Sequence, residues 1–165
     1  MFTPRFLFPD VYAITDDFLK EQGIKGIIFD IDNTLVGYST PKPTEQVLNL
    51  LARLQGQGIK VAIVSNNNRS RVSYFAEGLG LTAYHRSAKP LGIFLHRVRR
   101  QFGLPASEIA LIGDQVFTDS LGANWAGMIS ILVDPIQGKE NAFFRFKRWL
   151  EKPIIERKRR KDGLR

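Results

Sequence analysis

Four short, almost unbroken apolar runs, each stopped by polar residues, constrain this chain more than any other feature. Residues 24–29 (IKGIIF) stop at Asp30, and 59–64 (IKVAIV) stop at Ser65. Residues 109–112 (IALI) stop at Gly113 and Asp114, and 129–133 (ISILV) stop at Asp134. Residues 82–85 form a weaker fifth run. Runs of this length without polar alternation fit strands covered on both faces, as in a parallel sheet. Between them, apolar residues recur at helical spacing. Val47, Leu50, Leu51 and Leu54 follow Thr44, a side chain suited to capping a helix start, and Gly56 and Gly58 can end that helix. Val72, Phe75, Ala76 and Leu79 repeat the stripe before Gly80. Leu91, Phe94, Leu95, Val98 and Phe102 repeat it before Gly103 and Pro105. Leu121, Gly122, Trp125 and Ala126 form a short fourth. All four stripes read as core faces. The alternation predicts an α/β fold, a three-layer Rossmann-like domain around a parallel sheet of about five strands.

A chain of 165 residues suffices for one domain and can bury roughly 70 % of its unfolded surface. The absence of cysteine excludes a disulfide scaffold, a thiolate zinc site and a cysteine nucleophile. No apolar run approaches the ~18 residues of a membrane span. Residues 1–12 are apolar but broken by Pro4, Arg5, Pro9 and Asp10, so they lack the core of a signal peptide and an intracellular, cytoplasmic protein is expected. The net charge of +8 is uneven: residues 139–165 hold eleven Lys and Arg against four acids. The expected organisation is therefore a nearly neutral domain, 1–138, and a basic, aromatic tail, 139–165. Such a tail suits an anionic membrane surface or nucleic acid, or serves only as a solvated end.

In an open parallel sheet, ligands bind at the carboxyl ends of the strands. Asp30, Asp32, Asn33 and Thr34 follow the first run, and Ser65, Asn66 and Asn67 follow the second. Asp114, Gln115, Thr118 and Asp119 follow the third, and Lys89 precedes Pro90 where the third helix opens. Four carboxylates converging on one edge repel each other unless a cation neutralises them. With oxygen donors and no histidine or cysteine, the cation should be hard, Mg²⁺ before Zn²⁺. An aspartate there can act as a nucleophile, and a second one two residues on can move the proton. His85 and His96 fall in no motif and read as structural.

The set Asp30-Ile31-Asp32-Asn33-Thr34-Leu35, Ser65-Asn66-Asn67, Lys89-Pro90 and Gly113-Asp114-Gln115-Val116-Phe117-Thr118-Asp119 resembles the four motifs of haloacid dehalogenase-type phosphatases. The last motif is similar to that of subfamily IIIA, whose members lack a large cap. The resemblance covers residues 24–135. Length, Ser-Asn-Asn and the basic end are most similar to the YqeG-like branch, itself similar to phosphatidylglycerophosphate phosphatases. The resemblance implies that Asp30 is the nucleophile and that Asp32 is the general acid and base, positioned by Thr34. It implies Mg²⁺ held by Asp30, Asp114 and the backbone carbonyl of Asp32. Thr34, Ser65, Asn66 and Lys89 would bind phosphate, and Asp119 would hold metal-bound water or Lys89.

Thirty residues separate Thr34 from Ser65, and neither that gap nor the next can hold a cap domain. An uncapped site admits large substrates. In the tail, Phe143, Phe146 and Leu150 would share one helical face and Arg145, Arg148 and Lys152 another, the pattern of an interfacial helix on an anionic bilayer. Residues 1–12 would lie beside it. The expected function is hydrolysis of phosphatidylglycerophosphate to phosphatidylglycerol by a peripheral enzyme at the inner face of a membrane. The alternatives are a phosphatase for small soluble phosphomonoesters, such as nucleotide or sugar phosphates, and an RNA- or ribosome-binding module on the same fold.

Overall fold

The computed structural model describes residues 1–136 and 142–163; the expected boundary at 138/139 lies outside the described residues. Six strands form one parallel sheet: β1 (Phe6–Phe8), β2 (Gly26–Phe29), β3 (Lys60–Val64), β4 (Thr82–Tyr84), β5 (Ile109–Gly113) and β6 (Ile129–Val133), in the order β1-β6-β5-β2-β3-β4. The helices are α1 (Asp16–Glu21), α2 (Glu45–Gly56), α3 (Arg69–Ala76), α4 (Ile93–Phe102), α5 (Leu121–Trp125) and α6 (Ala142–Lys161). A π-helical turn, Val116–Ser120, runs directly into α5.

Strand alternation builds two cores. Ile27 and Phe29 of β2, Val61 and Ile63 of β3, and Ala110 and Ile112 of β5 pack with Leu19, Val47, Leu50, Leu51, Leu54, Val72 and Phe75. Ile28, Ala62, Val64, Ile109 and Leu111 turn the other way, onto Leu95, Val98, Phe102, Ala123 and Ala126. Thus α1–α3 cover one face and α4 and α5 the other. This is a three-layer α/β fold, and the described residues hold no large cap domain. Central strands buried on both faces explain the unbroken apolar runs.

Local chemistry sets the element ends. Thr44 Oγ1 accepts a hydrogen bond from Val47 N–H at 3.2 Å and starts α2. Gly103, at φ 63°, ends α4 in the left-handed region. Leu91 and Trp125, expected on core faces, are exposed instead. Leu91 lies before α4 begins, so helical spacing does not reach it, and Trp125 closes α5 on its outer side.

The sixth strand, absent from the runs read in the sequence, lies within residues 1–12. Phe6, Leu7 and Phe8 pair in parallel with Ile131, Leu132 and Val133 and extend the sheet. Phe18 packs edge-on against both Phe6 and Phe8, with ring centroids 4.9 Å apart in each pair. The three residues Phe6–Phe8 are too few to show a period, so only pairing with β6 reveals the strand.

Candidate active site

The strand order brings the polar strand ends together. β5, β2 and β3 are adjacent, so Asp114, Asp30 and Ser65 emerge side by side at the carboxyl edge of the sheet. Lys89 arrives from the segment between β4 and α4, and Asp119 from the π-helical turn.

Asp30, Asp114 and Asp119 are buried, and one carboxylate oxygen from each lies within 4.8 Å of the others. Lys89 enters this cluster with a side chain only 1 % exposed. Its Nζ donates to Asp119 Oδ1 at 2.6 Å and pairs with Asp30 Oδ1 at 3.2 Å. Asp119 Oδ2 accepts Gln115 N–H at 3.1 Å. Gly113 makes this packing possible: a Cβ there would sit 2.2 Å from Asp119 Cγ, an overlap no side chain tolerates. That is a physical role for the glycine that begins the last motif.

The electrostatics follow from burial. Desolvation pushes Asp30 up to about 6, against the Lys89 charge and with help from Asp119. Desolvation pushes Asp114 up to about 7, opposed by the Arg148 guanidinium and reinforced by Asp119 and Asp30. Burial alone would lower Lys89, but Asp119 and Asp30 reverse this and hold its ammonium above the ordinary range. Three buried acids gathered around Lys89 and Arg148, with Asp30 Oδ1 making only its 3.2 Å ion pair to Lys89, suit a hard cation. The residues present therefore fit a divalent metal ion.

Asp32 stands apart from this cluster. Its Oδ1 accepts from Arg71 Nε and an Arg71 terminal nitrogen at 3.1 and 2.9 Å, and its Oδ2 accepts Asn67 Nδ2 at 2.8 Å. Arg71, on α3, also donates to the Pro41 carbonyl at 2.8 Å. The Thr34 hydroxyl donates to Asp114 Oδ1 at 3.2 Å, so it braces the acidic cluster, while Asn67 and Arg71 hold Asp32. The turn carrying these residues includes Asn33 at φ 59°, a conformation asparagine tolerates better than most side chains.

Ser65 is buried, and its Oγ accepts Asn67 N–H at 3.2 Å. The Asn66 carboxamide is taken up by the neighbouring loop. Its Oδ1 accepts from Ser87 Oγ and Lys89 N–H, both at 2.8 Å, and its Nδ2 donates to the Lys89 carbonyl at 3.2 Å. Asn66 thereby fixes the backbone that aims Lys89. His85 and His96 lie outside the acidic cluster.

Sequence reasoning missed three residues here: Arg71, Arg148 and Glu151. Arg71 carried no signal, being one basic residue on a polar helix face. Arg148 and Glu151 sit on α6, and the basic pattern of the tail pointed outward. Arg148 instead donates to both the backbone carbonyl and the carboxylate of Asp114. Glu151 is fully buried, accepts Phe117 N–H at 3.1 Å and faces Arg148 at 3.6 Å.

A family model described as haloacid dehalogenase-like hydrolase matches residues 36–127, and it starts just after Asp30–Thr34. The chain belongs to this family. It is 39 % identical to "Probable phosphatase YqeG" of Bacillus subtilis over 97 % of this chain and 96 % of that protein. It is 30 % identical to "Phosphatidylglycerophosphate phosphatase 1, chloroplastic/mitochondrial" of Arabidopsis thaliana over 96 % of this chain. The match spans only 48 % of the plant protein. Among solved structures, the cobalt-bound deoxy-D-mannose-octulosonate 8-phosphate phosphatase from Haemophilus influenzae shares the fold, with a TM-score of 0.57. That pair is 19 % identical over 81 % of this chain and 90 % of the other. The chain is a phosphatase of the haloacid dehalogenase-like hydrolases.

Proposed function

We propose that this phosphatase hydrolyses the phosphomonoester of phosphatidylglycerophosphate through an aspartyl-phosphate on Asp30, with Mg²⁺ as cofactor. The Asp30 carboxylate oxygen attacks phosphorus, and the bond from phosphorus to the leaving oxygen breaks as Asp32 gives that oxygen its proton. Asp32, now ionised, takes a proton from a water molecule whose oxygen attacks the same phosphorus. The bond to Asp30 breaks, inorganic phosphate departs and Asp30 is restored. The carboxylates of Asp30 and Asp114 and the Asp32 carbonyl would hold the ion. When bound, it polarises the phosphoryl group and offsets its charge. Lys89 offsets the charge of Asp30 and binds phosphate with Ser65. Asn66 and Asp119 keep Lys89 in place, while Arg71 and Asn67 orient Asp32.

The lipid substrate rests on one observation. α6 sets Arg148 against Asp114 on its inner side and leaves Phe143, Phe146, Trp149 and Leu150 exposed on its outer side. Exposed Arg145 and Lys152 flank them. One helix diameter, about 10–12 Å, thus separates the catalytic edge from an aromatic, basic face suited to an anionic bilayer. No helix among the described residues is long and apolar enough to cross a membrane, so contact would be peripheral. Resemblance to the plant phosphatidylglycerophosphate phosphatase along nearly the whole chain supports the same reading.

Phosphate release from phosphatidylglycerophosphate in mixed micelles, with and without Mg²⁺ and beside a panel of soluble phosphomonoesters, tests the proposal. Mg²⁺-dependent release favouring the lipid is expected. Release from soluble esters alone would discard the lipid. A steep, salt-dependent affinity for RNA without any release would replace the enzymatic reading with a binding one.

A further inference from the structure

α6 docks on the domain the wrong way round for simple packing. A helix that merely covered a core would bury its aromatics and expose its charges. Here Phe143, Phe146 and Trp149 are 57–70 % exposed. Three polar side chains meet the loop after β5 instead: Lys147 donates to Gln115 Oε1, Arg148 to Asp114, and Glu151 accepts Phe117 N–H. Burying Glu151 in this way is costly unless the position is needed. Its Oε2 is buried without a hydrogen bond and lies 3.6 Å from the Arg148 guanidinium, so the carboxylate aims that group.

The charges show what the guanidinium is for. Fully ionised, Asp30, Asp114 and Asp119 set three negative charges against one on Lys89, while Arg148 and Glu151 offset each other. A divalent ion brings that set to neutrality, and a phosphomonoester dianion then adds two uncompensated charges. An ion on Asp114 would compete with Arg148 for the charge of a carboxylate whose Oδ1 already accepts from Thr34 and whose Oδ2 accepts from Arg148. Glu151 stays 3.6 Å from Arg148, and a phosphate bound at the same strand edge would be a second anion for it, whose oxygens the guanidinium fork matches in pairs.

We propose that Arg148 is a phosphate-binding residue of the active site, delivered by the C-terminal helix, held on Asp114 until metal and substrate arrive and aimed by Glu151. α6 would then supply from the chain's end part of what a cap domain supplies elsewhere. The inference rests on the reading of this edge as a phosphomonoester site.

The test uses the full chain with Arg148→Gln, Arg148→Lys and Glu151→Gln. Mg²⁺ binding is measured by calorimetry, and inorganic phosphate binding is measured on the Mg²⁺-loaded protein, where turnover is not needed. Arg148→Gln should bind Mg²⁺ several-fold more tightly, having lost a competitor for Asp114. It should bind phosphate ~10- to 100-fold more weakly and raise KM for a soluble ester to match, with kcat changed far less. Arg148→Lys should recover part of the phosphate affinity, and Glu151→Gln should lose part of it. Unchanged phosphate affinity in a folded Arg148→Gln protein would overturn the proposal, leaving Arg148 only a place-holder for the ion. If Arg148→Gln fails to fold, full phosphate affinity in Glu151→Gln and Arg148→Lys together overturns it. If the wild-type protein binds phosphate but releases none from any ester, the catalytic reading fails and this one stands.

Discussion

The strand-end cluster and the terminal helix solve opposite problems. The cluster of Asp30, Lys89, Asp114 and Asp119 is built from the middle of the molecule. Asp30 and Asp114 follow β2 and β5, strands buried on every residue, Asp119 comes from the π-helical turn, and close packing at Gly113 sets the geometry. α6 belongs to the edge. It is held in part by charged contacts, and its Phe143, Phe146, Trp149 and Leu150 stay exposed. A site that must hold charges in low dielectric needs a rigid frame, because a misplaced buried charge costs several kcal/mol. A surface proposed to meet a membrane needs apolar groups left unsatisfied by its own fold. The molecule thus separates precision from exposure, and Arg148 is the side chain that links the two.

Breaking the frame should have the largest effect. Asp30→Asn should reduce phosphate release by at least ~10³-fold while the circular-dichroism spectrum stays native. Residual turnover near that of the wild type would remove Asp30 as nucleophile. Next comes Gly113→Ala. Its Cβ must push Asp119 off Lys89, so a stability loss of about 1–3 kcal/mol is expected in urea melts, together with most of the activity. A harmless alanine would mean that the Gly113–Asp119 contact is not what positions the lysine.

The outer face separates more gently. The double variant Phe146→Ser and Trp149→Ser should weaken binding to anionic vesicles ~10- to 100-fold, because two exposed aromatics would otherwise be buried. Turnover of a soluble ester should stay within about twofold. Equal losses in both assays would show that the aromatics serve the site and not a bilayer. Removing the whole tail cannot make this distinction, since it also takes Arg148 from Asp114.

The smallest expected effect is in pH. Burial raises Asp30 to about 6 and Asp114 to about 7. Below about pH 4 both are protonated in the folded and the unfolded chain, so neither influences stability. Between about 4 and 7 the folded chain keeps protons that the unfolded chain releases, so stability falls as pH rises; above about 7 the loss is complete. Without metal, Tm should fall between pH 5 and pH 8. Mg²⁺ should raise Tm more at pH 8 than at pH 5, since it binds the ionised carboxylates. A Mg²⁺ effect independent of pH would place the ion elsewhere.

Much of this was legible in the chain. Unbroken β-branched runs can satisfy themselves only inside a parallel sheet, and such a sheet binds ligands at its carboxyl edge. The polar residues Asp30, Ser65, Lys89, Asp114 and Asp119 were therefore legible as candidates, and the structure brings them to one edge. β1 was not legible, because Phe6–Phe8 is a strand only in the presence of β6. Arg71 and Asn67 as partners of Asp32, and Asn66 as the brace of Lys89, were equally hidden, since such contacts depend on which loops meet.

By itself, then, the order of residues determined the layers, the edge that carries chemistry and the carboxylates on it, because periodicity and strand-end polarity are local properties. Only the tertiary structure decided which way α6 turns. An amphipathic helix with charges on one side and aromatics on the other can dock by either. Here the buried carboxylate of Asp114 and the amide of Phe117 claim Arg148 and Glu151, and the aromatics are left to face outward.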